Sequence, residues 1–560
     1  MLFPHVRPSW ILAEDEDWIF VDKPPFVPSQ ASDPKVPDDI VARLSAYLAE
    51  RDGGTPYLGV HQRLDLPTSG VLVFAKRREA NAGLAQAFEK RKVEKTYLAL
   101  VSAFRGSPGS RHTLRDTLAK GDGGAMRVVT GRAAQSGQLA VTHVTVGKKR
   151  ADGVLLELSL ETGRTHQARV QLAHAGSPIV GDPMYGGAPA SRLFLHAASL
   201  SLPHPKTGVV TKVSAPVPKD FDREAEGRVY DDGPRLRRTL EVAMDRRYAL
   251  GRLREHETNA FRLVNEGGDA LPRLAVDLYA GFAVAQFYED ALWTPAREER
   301  VLDALLALGI RGIYKKVRPR QANELVDPRT DRWAPKDPVR GEVAPDPLPI
   351  LENGIAFSAR LGDGLSTGIF LDQRENRARV MASSGGKSVL NLFAYACAFT
   401  VAAVAGGASR TVSVDASAVA LERGREMLAG AEGDHRFVAE DAFAWLERAH
   451  RKGERFDLVI LDPPSYSSTK KRRFVGDADY AELAALAMRL IAPRGELLAC
   501  SNHRKVSQNK FRKFLFDATR QIDRPPTQIK DLPQPSDFPT ESDQEGHLKS
   551  ALVRFSGEPV

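Results

Sequence analysis

Short apolar runs separated by turn-forming residues fill most of the first 215 residues of the chain. The runs are rich in β-branched and aromatic residues, which favour strands over helices. They read WIFVD, GVLVFAK, KTYLALVSA, AVTHVTVG and GVLLELSL. One helix is predicted between them, over TGRTHQARVQLAHAG, with Thr165 as its N-cap and Gly176 just past its end.

The pattern changes at 215–234, where APVPKDFDREAEGRVYDDGP is polar and punctuated by proline. Such a composition is typical of a domain boundary, so we predict a linker there. The following segment, PRLRRTLEVAMDRRYALGRLRE, predicts a helix, and AFRLVNEGGDALPRLAVDLYAGFAVAQFY predicts strands joined by glycine-rich turns. We interpret 235–345 as a smaller mixed domain.

Short apolar strands alternate with helical segments from residue 387 onward. The strands are SVLNLF, RTVSVDAS, HRFVAEDA, FDLVILDPP and GELLACSN. Alternation of this kind is typical of a parallel sheet covered by helices on both faces. The last third of the chain is therefore predicted to be an α/β domain.

The composition is that of a folded protein with a basic surface: of 560 residues, 42% are hydrophobic and 27% are charged, and the net charge is +8. This balance favours a polyanionic partner, with nucleic acid as the leading candidate. Two cysteines, Cys397 and Cys500, cannot build a disulfide framework or a cysteine-based zinc site. Without an export signal or an uncharged apolar run of 18 residues, we expect a cytoplasmic chain that does not span a membrane.

The segment HQRLDLPTSGVLVFAK places Asp65 directly before an apolar strand. In ETGRTHQARV, Arg164 at a helix start could hold a carboxylate ionised through a forked contact. In EKTYLALV, Tyr97 offers an aromatic face. A carboxylate, an arginine and an aromatic ring suit chemistry on a base that has been flipped out of an RNA stack.

Four segments in this order, HQRLDLPTSGVLVFAK, KTYLALV, ETGRTHQARVQLAHAGSPIVGDPMYG and RLFLHAASL, resemble the motifs of RluA-family pseudouridine synthases. The resemblance implies that Asp65 is the catalytic aspartate, which attacks C1′ of the uridine or takes a proton from C2′. It also implies that Arg63 holds the base out, that Tyr97 stacks on it and that Arg164 pairs with Asp65. Neither a metal nor a cofactor is implied for this reaction.

A structural interpretation competes with each of these assignments. An RLD tripeptide alone is more often a surface ion pair, and only the four ordered motifs favour catalysis. The histidines His61, His166, His174 and His196 lack a carboxylate or cysteine at ligand spacing, so we expect packing or RNA contacts rather than a metal site.

Acidic residues follow several of the predicted parallel strands, where class I methyltransferases bind S-adenosylmethionine (SAM). Asp415 follows RTVSV and suits the two ribose hydroxyls, and Asp441 follows RFVAE and suits the adenine amino group. After DLVIL comes DPPSY, where Asp462, Pro463 and Pro464 would form a rigid slot for a base and Tyr466 a stacking face. Taken singly, an acidic residue after a strand is more often a turn residue or an N-cap.

The segments STGIFLDQRENRARV, VLNLFAYACAFT, VSVDAS and LDPPSYSSTKK resemble bacterial large-subunit rRNA methyltransferases that modify cytosine C5 or guanine N7. The resemblance implies SAM as cofactor, with Asp372, Arg374, Asn391 and Phe393 beside it. One departure is plain, because the first loop has Tyr395, Cys397 and Phe399 in place of a glycine-rich turn. Contacts in that loop are therefore left open.

The methyl acceptor is predicted from the positions of the cysteines. Methylation at cytosine C5 needs a nucleophile at C6, a role suited to a thiolate. Where the cytosine enzymes carry that cysteine, this chain has Ser465 and Asn502, and Cys500 is expected to point towards the core. Guanine N7 is already nucleophilic, so we predict 7-methylguanosine rather than 5-methylcytosine.

We therefore predict a multidomain chain: an α+β mixed-sheet pseudouridine synthase domain at 1–220, a linker helix with a small β-rich α+β domain at 221–345, and a Rossmann-like α/β methyltransferase domain at 346–560. The expected partner is RNA, most of all rRNA, with tRNA as an alternative and no metal. Other possibilities are that one half is only an RNA-binding arm, or that the whole chain is a non-catalytic ribosome-assembly factor. Basic clusters at 89–95, 148–150, 469–473 and 502–514 could meet phosphates or be solvated faces.

Overall fold

The computed structural model describes residues 2–31, 33, 35–218, 221, 228–319, 330, 332–468, 473–475, 479–541 and 545–557, with the side chains of 466–468 and 473–475 left out. In the N-terminal part, the described elements are β1 (Ile11–Glu14), β2 (Trp18–Lys23), α1 (Ile40–Asp52), β3 (Gly59–Val60), β4 (Ser69–Ala75), α2 (Arg78–Glu89), β5 (Glu94–Val101), β6 (Arg111–Lys120), β7 (Met126–Val129), β8 (Gln138–Arg150), β9 (Gly153–Leu160), α3 (Gln167–His174), β10 (Leu195–Pro203) and β11 (Val210–Ser214).

These strands form one mixed sheet in the order β1-β2-β4-β10-β5-β9-β8-β6-β7, with β3 beside β4 and β11 beside β10. Strands β4 and β10 pair in parallel, and the neighbouring pair β10 and β5 is antiparallel. This arrangement brings the turn before β4, which contains Asp65, next to the middle of β5, which carries Tyr97. The predicted α+β mixed-sheet class is confirmed.

The prediction of a single helix in this region is wrong, because α1 and α2 also form. Helix α1 buries Ile40, Leu44 and Leu48, which repeat every four residues and so share one face. Asp39 caps its first turn by accepting hydrogen bonds from the backbone N–H groups of residues 41 and 42. The helical period was present in the sequence, but it is short and lies between strand-like runs.

The middle part begins with α4 (Gly233–Arg246) and continues with β12 (Ala260–Asn265), β13 (Leu274–Tyr279), β14 (Phe282–Tyr288), α5 (Pro295–Ala307), β15 (Gly312–Arg318) and β16 (Arg340–Gly341). The strands form a sheet in sequence order. Helices α4 and α5 pack on it around buried Leu240, Val276 and Leu302, and Phe3 from the N-terminus joins this core. A hairpin of β17 (Leu348–Glu352) and β18 (Ile355–Ala359) follows.

The C-terminal part consists of α6 (Arg374–Ser383), β19 (Ser388–Leu392), α7 (Ala398–Ala405), β20 (Arg410–Asp415), α8 (Ala418–Met427), β21 (Asp434–Ala439), α9 (Ala442–Arg451), β22 (Phe456–Leu461), β23 (Tyr466–Ser468), β24 (Arg473–Val475), α10 (Tyr480–Met488), β25 (Ile491–Ser501), α11 (Gln508–Gln521), β26 (Pro526–Leu532) and β27 (Lys549–Phe555). Strands β23 and β24 form a separate hairpin.

The main C-terminal sheet has the order β21-β20-β19-β22-β25-β27-β26. The first five strands are parallel, and β27 and β26 are antiparallel to their neighbours. The chain runs outward from β19 through β20 to β21 and then returns to the other side of β19 as β22. The Rossmann-like prediction is confirmed, and this reversal creates the crevice in which such sheets bind ligands.

A buried ionic cluster joins the middle and C-terminal parts around Asp537. Its carboxylate receives a forked hydrogen bond from Arg374, at 2.9 and 2.6 Å, and a third bond from the backbone N–H of Arg262 at 2.9 Å. Its carbonyl oxygen accepts from Arg247 at 2.7 Å, and Arg247 also makes a forked pair with Asp269. The cluster ties α4, β12 and the start of α6 to the loop before β27.

Helices long and apolar enough to cross a membrane are absent from the part of the chain described by the structure.

Candidate active sites

The first candidate site is a pocket of about 1120 Å³ around Asp65. Buried contacts fix the backbone on both sides of this residue. The Ser29 hydroxyl donates to the carbonyl of Leu64 at 2.7 Å and accepts from its N–H at 3.0 Å. On the other side, the carbonyl of Leu66 accepts from the Lys23 ammonium at 3.2 Å and from the N–H of Phe26 at 2.9 Å. The half-buried Asp65 side chain is therefore presented from a rigid turn.

The partner of the Asp65 carboxylate is Arg169. Its Nη1 donates to Asp65 Oδ2 at 3.1 Å, while Nε and Nη2 form a forked pair with buried Asp182 at 2.7 and 2.8 Å. Burial alone would lower the pKa of Arg169, but the two carboxylates outweigh it and raise that pKa. The guanidinium is thus held in place by Asp182 while one edge faces Asp65.

The predicted pairing of Arg164 with Asp65 is corrected by the structure. Helix α3 begins at Gln167 rather than after Thr165, and His166 occupies the N-cap with a left-handed φ of 54°. Arg164 therefore precedes the helix, where its Nε donates to the carbonyl of Leu139 at 3.3 Å. It still lines the pocket wall. Gly176 lies just past the helix end with φ of 74°, as predicted.

Tyr97 and His166 border the same carboxylate. Burial, and secondarily the charge of Asp65, raise the pKa of Tyr97, so its hydroxyl stays protonated. The Nε2 of His166 lies 3.9 Å from Asp65 Oδ2, and its Nδ1 lies 2.9 Å from the hydroxyl of Tyr185. Burial lowers the pKa of His166, which favours the neutral ring. Neither His166 nor Arg169 was assigned to the site by the sequence, although both lie in the ETGRTHQARV motif that was singled out there.

The electrostatic character of the pocket is strongly positive. Arg63 is exposed at the rim, where its Nη1 donates to Gln30 Oε1 at 3.1 Å. The carboxylates among the described lining residues are Asp65 and Asp182. They face six cationic side chains, which are Arg63, Lys95, Arg164, Arg169, Arg192 and Arg246. Such an excess of positive charge suits a polyanion.

The second candidate site is a narrower cavity of about 330 Å³ at the carboxyl ends of β19, β20, β21 and β22. Its position at the reversal of strand order is the expected ligand crevice. Apolar rings from the loop after β19 and from β18–α6 cover one side of it. Seven of the predicted site residues line it, namely Asp372, Phe393, Asp415, Asp441, Asp462, Pro463 and Pro464.

Asp415 is locked at the end of β20 by backbone donors. Its two carboxylate oxygens accept from the N–H of Tyr395 at 2.9 Å and from the N–H of Ser417 at 2.8 Å. Asp441, at the end of β21, accepts from the N–H of Ala444 at 3.2 Å and so caps α9. Asp441 is therefore both the N-cap of α9 and a residue of the cavity wall.

The loop after β19 takes an unusual conformation for a segment without glycine. Phe393, Tyr395 and Cys397 have φ of 57°, 47° and 61°, in the left-handed region that side chains with a Cβ rarely adopt. Within this loop, the N–H of Tyr395 donates to Asp415 and the N–H of Ala394 to the carbonyl of Val414. This loop occupies the place of the glycine-rich turn that the sequence lacks, and Phe393 and Tyr395 line the cavity.

Two acidic side chains on the cavity wall have opposite environments. Burial would raise the pKa of Asp372, but the hydrogen bond from His547 at 3.0 Å outweighs it, so the pKa lies below its ordinary value. Burial, with repulsion from Asp372, raises the pKa of Asp462 to about 7 despite a 2.9 Å hydrogen bond from Gln373. Below neutral pH, Asp462 is protonated while Asp372 carries the charge.

Two predicted cofactor contacts are not in the cavity wall. Arg374 is buried and turns away to pair with Asp537, a partner 163 positions later in the chain. Asn391 is buried within β19, where its amide donates to the Thr400 hydroxyl at 2.9 Å. Both residues lie behind the cavity wall. Arg374 directly follows Gln373, which lines the cavity, and Asn391 holds α7 against the sheet.

Cys500 is fully buried, as the sequence predicted. Its Sγ lies 3.7 Å from Gln373 Oε1, and burial raises the pKa of the thiol well above its ordinary value. Cys397 is also buried, and burial raises its pKa. At the two predicted positions, the Ser465 hydroxyl donates to Asn502 Oδ1 at 2.7 Å. The Tyr466 side chain and residues 469–472 lie outside the described part of the chain.

Two protein-family models match this chain, one around each of the two candidate sites. The model of the S-adenosylmethionine-dependent methyltransferase family matches residues 332–554, around the second cavity. The RNA pseudouridylate synthase model matches residues 17–174, around the Asp65 pocket. Each match coincides with one of the two resemblances found in the sequence.

Relatives of the C-terminal part are found over most of their own lengths. The "Putative ribosomal RNA large subunit methyltransferase YwbD" of Bacillus subtilis is 35% identical over 53% of this chain and 75% of its own. The "Ribosomal RNA large subunit methyltransferase I" of Aeromonas salmonicida is 31% identical over 57% of this chain and 79% of its own. The crystal structure of "SMU.776, a putative methyltransferase complexed with SAH" superimposes with a TM-score of 0.51 and 28% identity, covering 58% of this chain and 82% of its own.

The raised pKa of Asp462 predicts a characteristic dependence of stability on pH. Its unfolded carboxyl ionises near 3.8, whereas the folded carboxyl keeps its proton up to about pH 7. The folded chain therefore binds one more proton within that window, and this group makes the free energy of unfolding fall as pH rises through it. We expect Asp462→Asn, which cannot ionise, to lose less stability than the wild type from about pH 5 to about pH 8 in urea titrations.

A suitable control is Asp434→Asn, because Asp434 is exposed and Arg436 lowers its pKa, so it titrates below the window. This variant should follow the wild-type profile. Parallel profiles for wild type and Asp462→Asn would mean that Asp462 is already ionised at pH 5 in the folded chain.

Proposed function

We propose that the two halves of this chain each modify ribosomal RNA. The chain belongs to the S-adenosylmethionine-dependent methyltransferases and also carries an RNA pseudouridylate synthase domain. One chain holds both the Asp65–Arg169–Asp182 cluster, in a cation-rich pocket, and an acidic cavity at the point where the strand order of the C-terminal sheet reverses. This combination is the main support for two activities. We assign the synthase to 1–220, a linking domain to 221–345 and the methyltransferase to 346–560. The relatives of the C-terminal part are named as ribosomal RNA methyltransferases, which favours rRNA over tRNA.

In the first pocket, we assign the reacting carboxylate to Asp65. It attacks C1′ of the uridine or takes a proton from C2′. Either step uses the carboxylate, and Arg169 orients that carboxylate by donating a hydrogen bond to it at 3.1 Å. The N1–C1′ bond breaks and the uracil turns. A C5–C1′ bond then forms as the bond from Asp65 to C1′ breaks, or as C2′ regains its proton, and the proton lost from C5 is balanced by one gained at N1. Tyr97, protonated and bordering Asp65, provides the face against which the base stacks, and Arg63 at the rim holds the base outside its helix.

In the second cavity, S-adenosylmethionine is the cofactor, and it supplies an activated methyl group when bound. The residues of the wall fit it: a fixed carboxylate at the end of β20, apolar rings from the loop after β19 and further carboxylates for a cationic ligand. We assign Asp415 to the ribose hydroxyls, Asp441 to the adenine amino group and Asp372 to the charged end of the cofactor. The turn of Asp462, Pro463 and Pro464 shapes the slot for the target base.

We propose guanine N7 as the methyl acceptor. Cytosine C5 must be made electron-rich by a nucleophile at C6, and a thiolate is the usual one. Cys397 and Cys500 are both buried, have raised pKa values and are absent from the described cavity wall. Guanine N7 has an in-plane lone pair, so a slot that positions it against the methyl group suffices. The Ser465–Asn502 pair at the rim provides hydrogen-bonding groups for the edge of a purine.

Asp65→Asn should abolish pseudouridine formation and leave methylation intact, because the amide keeps the shape but removes the charge that Arg169 holds. Both products are measured by nucleoside analysis of one RNA sample. Asp116→Asn is a control in the same domain, since Asp116 lies on β6 and binds Gln171 outside the pocket wall. Normal pseudouridylation by Asp65→Asn would remove Asp65 from the catalytic role.

Asp415→Ala should weaken SAM binding more than tenfold, because each lost hydrogen bond to a charged group costs about 1.5–3 kcal/mol. Calorimetry with SAM measures the change. Asp434→Ala is the matched control, since Asp434 begins β21 and so lies at the amino-terminal ends of the strands, away from the carboxyl end that carries Asp415. Equal affinity in wild type and Asp415→Ala would overturn the assignment of this carboxylate.

Incubation of rRNA with the enzyme and labelled SAM should place the label in 7-methylguanosine. Mass spectrometry of the nucleosides identifies the product. Cys500→Ala and Cys397→Ala should keep the activity, because neither thiol takes part. Label in 5-methylcytidine that disappears in Cys500→Ala would refute the guanine N7 assignment.

A further inference from the structure

The wall of the Asp65 pocket includes residues from outside the pseudouridine synthase domain. Arg246, the last residue of α4, and Thr540, from the loop before β27, both line it. Residue 246 is 72 positions beyond the end of the matched synthase segment, and residue 540 lies within the segment matched by the methyltransferase family. The pocket is therefore formed by three parts of the chain.

Arg246 is fixed at the pocket by two kinds of contact. Its guanidinium carbon lies 4.0 Å from the centre of the Phe26 ring, which belongs to the synthase domain. Its Nη1 donates to the carbonyl of Gly268 at 2.7 Å and to Asp269 Oδ1 at 3.1 Å. Both of these hydrogen bonds are donated by Nη1. Because the guanidinium is planar, they also fix the direction of its other edge, which carries Nε and Nη2. The side chain is 17% exposed.

The contact with Phe26 leads directly to the catalytic turn. The Phe26 N–H donates to the carbonyl of Leu66, the residue after Asp65, at 2.9 Å. Phe26 has a left-handed φ of 66°, so its ring position depends on these surroundings. Arg246 thus packs on the loop that supports Asp65 rather than on a remote part of the synthase domain.

The charges around Arg246 are unbalanced. Asp269 accepts a forked pair from Arg247 at 2.7 and 2.7 Å in addition to the bond from Arg246. One carboxylate is thus shared by two guanidinium groups, which leaves one positive charge. Burial lowers the pKa of Arg246 to about 10, so the side chain is still charged at neutral pH. An anion in the pocket would compensate this charge.

The loop that carries Thr540 is held by the middle domain, not by the synthase domain. The carbonyl of Pro539 accepts from Asn265 Nδ2 at 2.7 Å. The backbone of Gly268 packs so closely on this loop that a Cβ at 268 would lie 2.0 Å from the same carbonyl oxygen. Asp537, three residues before Thr540, is buried in the ionic cluster. The exposed Thr540 side chain is therefore a fixed part of the pocket rim.

We propose that the pseudouridine synthase site is composite, and that Arg246 binds a backbone phosphate of the RNA whose uridine lies at Asp65. This inference rests on the proposed synthase function of the N-terminal domain. Pseudouridylation then depends on a residue of the middle domain and on a loop of the methyltransferase, although neither reacts with the base. A phosphate fits better than a carboxylate of a protein partner because the same pocket holds Asp65, Tyr97 and five further cations suited to RNA.

The test uses the full chain with Arg246→Gln and Arg246→Lys, assayed for pseudouridine over a range of RNA and salt concentrations. Arg246→Gln should raise KM for RNA about tenfold with little change in kcat, and should reduce the salt slope of RNA binding by about one. Arg246→Lys should recover most of the affinity because it keeps the charge. Arg237→Gln is the matched control on α4, since Arg237 is 60% exposed and pairs with Glu241.

A second pair of variants does not disturb the buried cluster. Thr540→Glu should raise KM for RNA in pseudouridylation and Thr540→Lys should lower it, because the exposed side chain adds opposite charges to the rim. Methylation in the same samples reports correct folding. Because methyl transfer takes place in the other cavity, the five variants should all retain it.

Three outcomes would overturn the inference. One is an unchanged KM and salt slope in Arg246→Gln with normal pseudouridylation by the wild type. Another is an equal loss of kcat in Arg246→Gln and Arg246→Lys, which would indicate a structural role. The third is equal KM for Thr540→Glu and Thr540→Lys. Absence of pseudouridine with the wild-type enzyme would instead overturn the proposed function itself, and this inference with it.

Discussion

The buried carboxylate of Asp537 is the constraint on which the arrangement of the two sites depends. It lies in the loop before β27 and is paired with Arg374 at the start of α6, while its backbone carbonyl is bound by Arg247 at the end of α4. Leaving one partner of a buried ion pair unmatched typically costs about 3–5 kcal/mol, so neither the loop nor the helices can move independently. Gln373, next to Arg374, contacts Asp462 in one cavity, and Arg246, next to Arg247, lines the other pocket.

The two sites differ in the physical means by which they select ligands. The Asp65 pocket is wide, and its excess of cations attracts a long polyanion, whereas the cavity beside Asp415 is narrow and combines apolar rings with carboxylates. An anionic strand is thus favoured at the first site, and a small ligand with a positive centre at the second. The net charge of the chain, +8, does not reveal this contrast, since it averages the two environments.

The sequence predicted the parts of the structure that depend on local order along the chain. Alternating strands and helices gave the Rossmann-like sheet, and strand ends gave Asp415, Asp441 and Asp462 on the cavity wall. The sequence did not predict which of several possible partners a charged side chain contacts. Arg164 and Arg169 lie in one motif. The helix begins one residue later than predicted, and Arg169 within the helix, rather than Arg164 before it, reaches Asp65.

Arg374 illustrates the same limit at long range, because Asp537 is 163 residues away in the chain. No local pattern shows that these two side chains will meet. The role of Arg246 is a similar case, since a residue at the end of a helix in one domain completes the pocket of another. Such assignments depend on how domains pack, which periodicity and motif order do not encode.

The loop of Phe393, Tyr395 and Cys397 has a consequence for the thermodynamics of ligand binding. Each left-handed residue with a side chain costs about 1–2 kcal/mol relative to the ordinary helical region, so folding must supply this strain in advance. The cavity wall is then already ordered before any ligand arrives, and little conformational entropy is lost on association. A mutation to glycine would release the strain, yet it would remove packed side chains such as Phe393 and give the loop alternative conformations in the free protein. Tight binding and maximal stability are therefore opposing demands on these three positions.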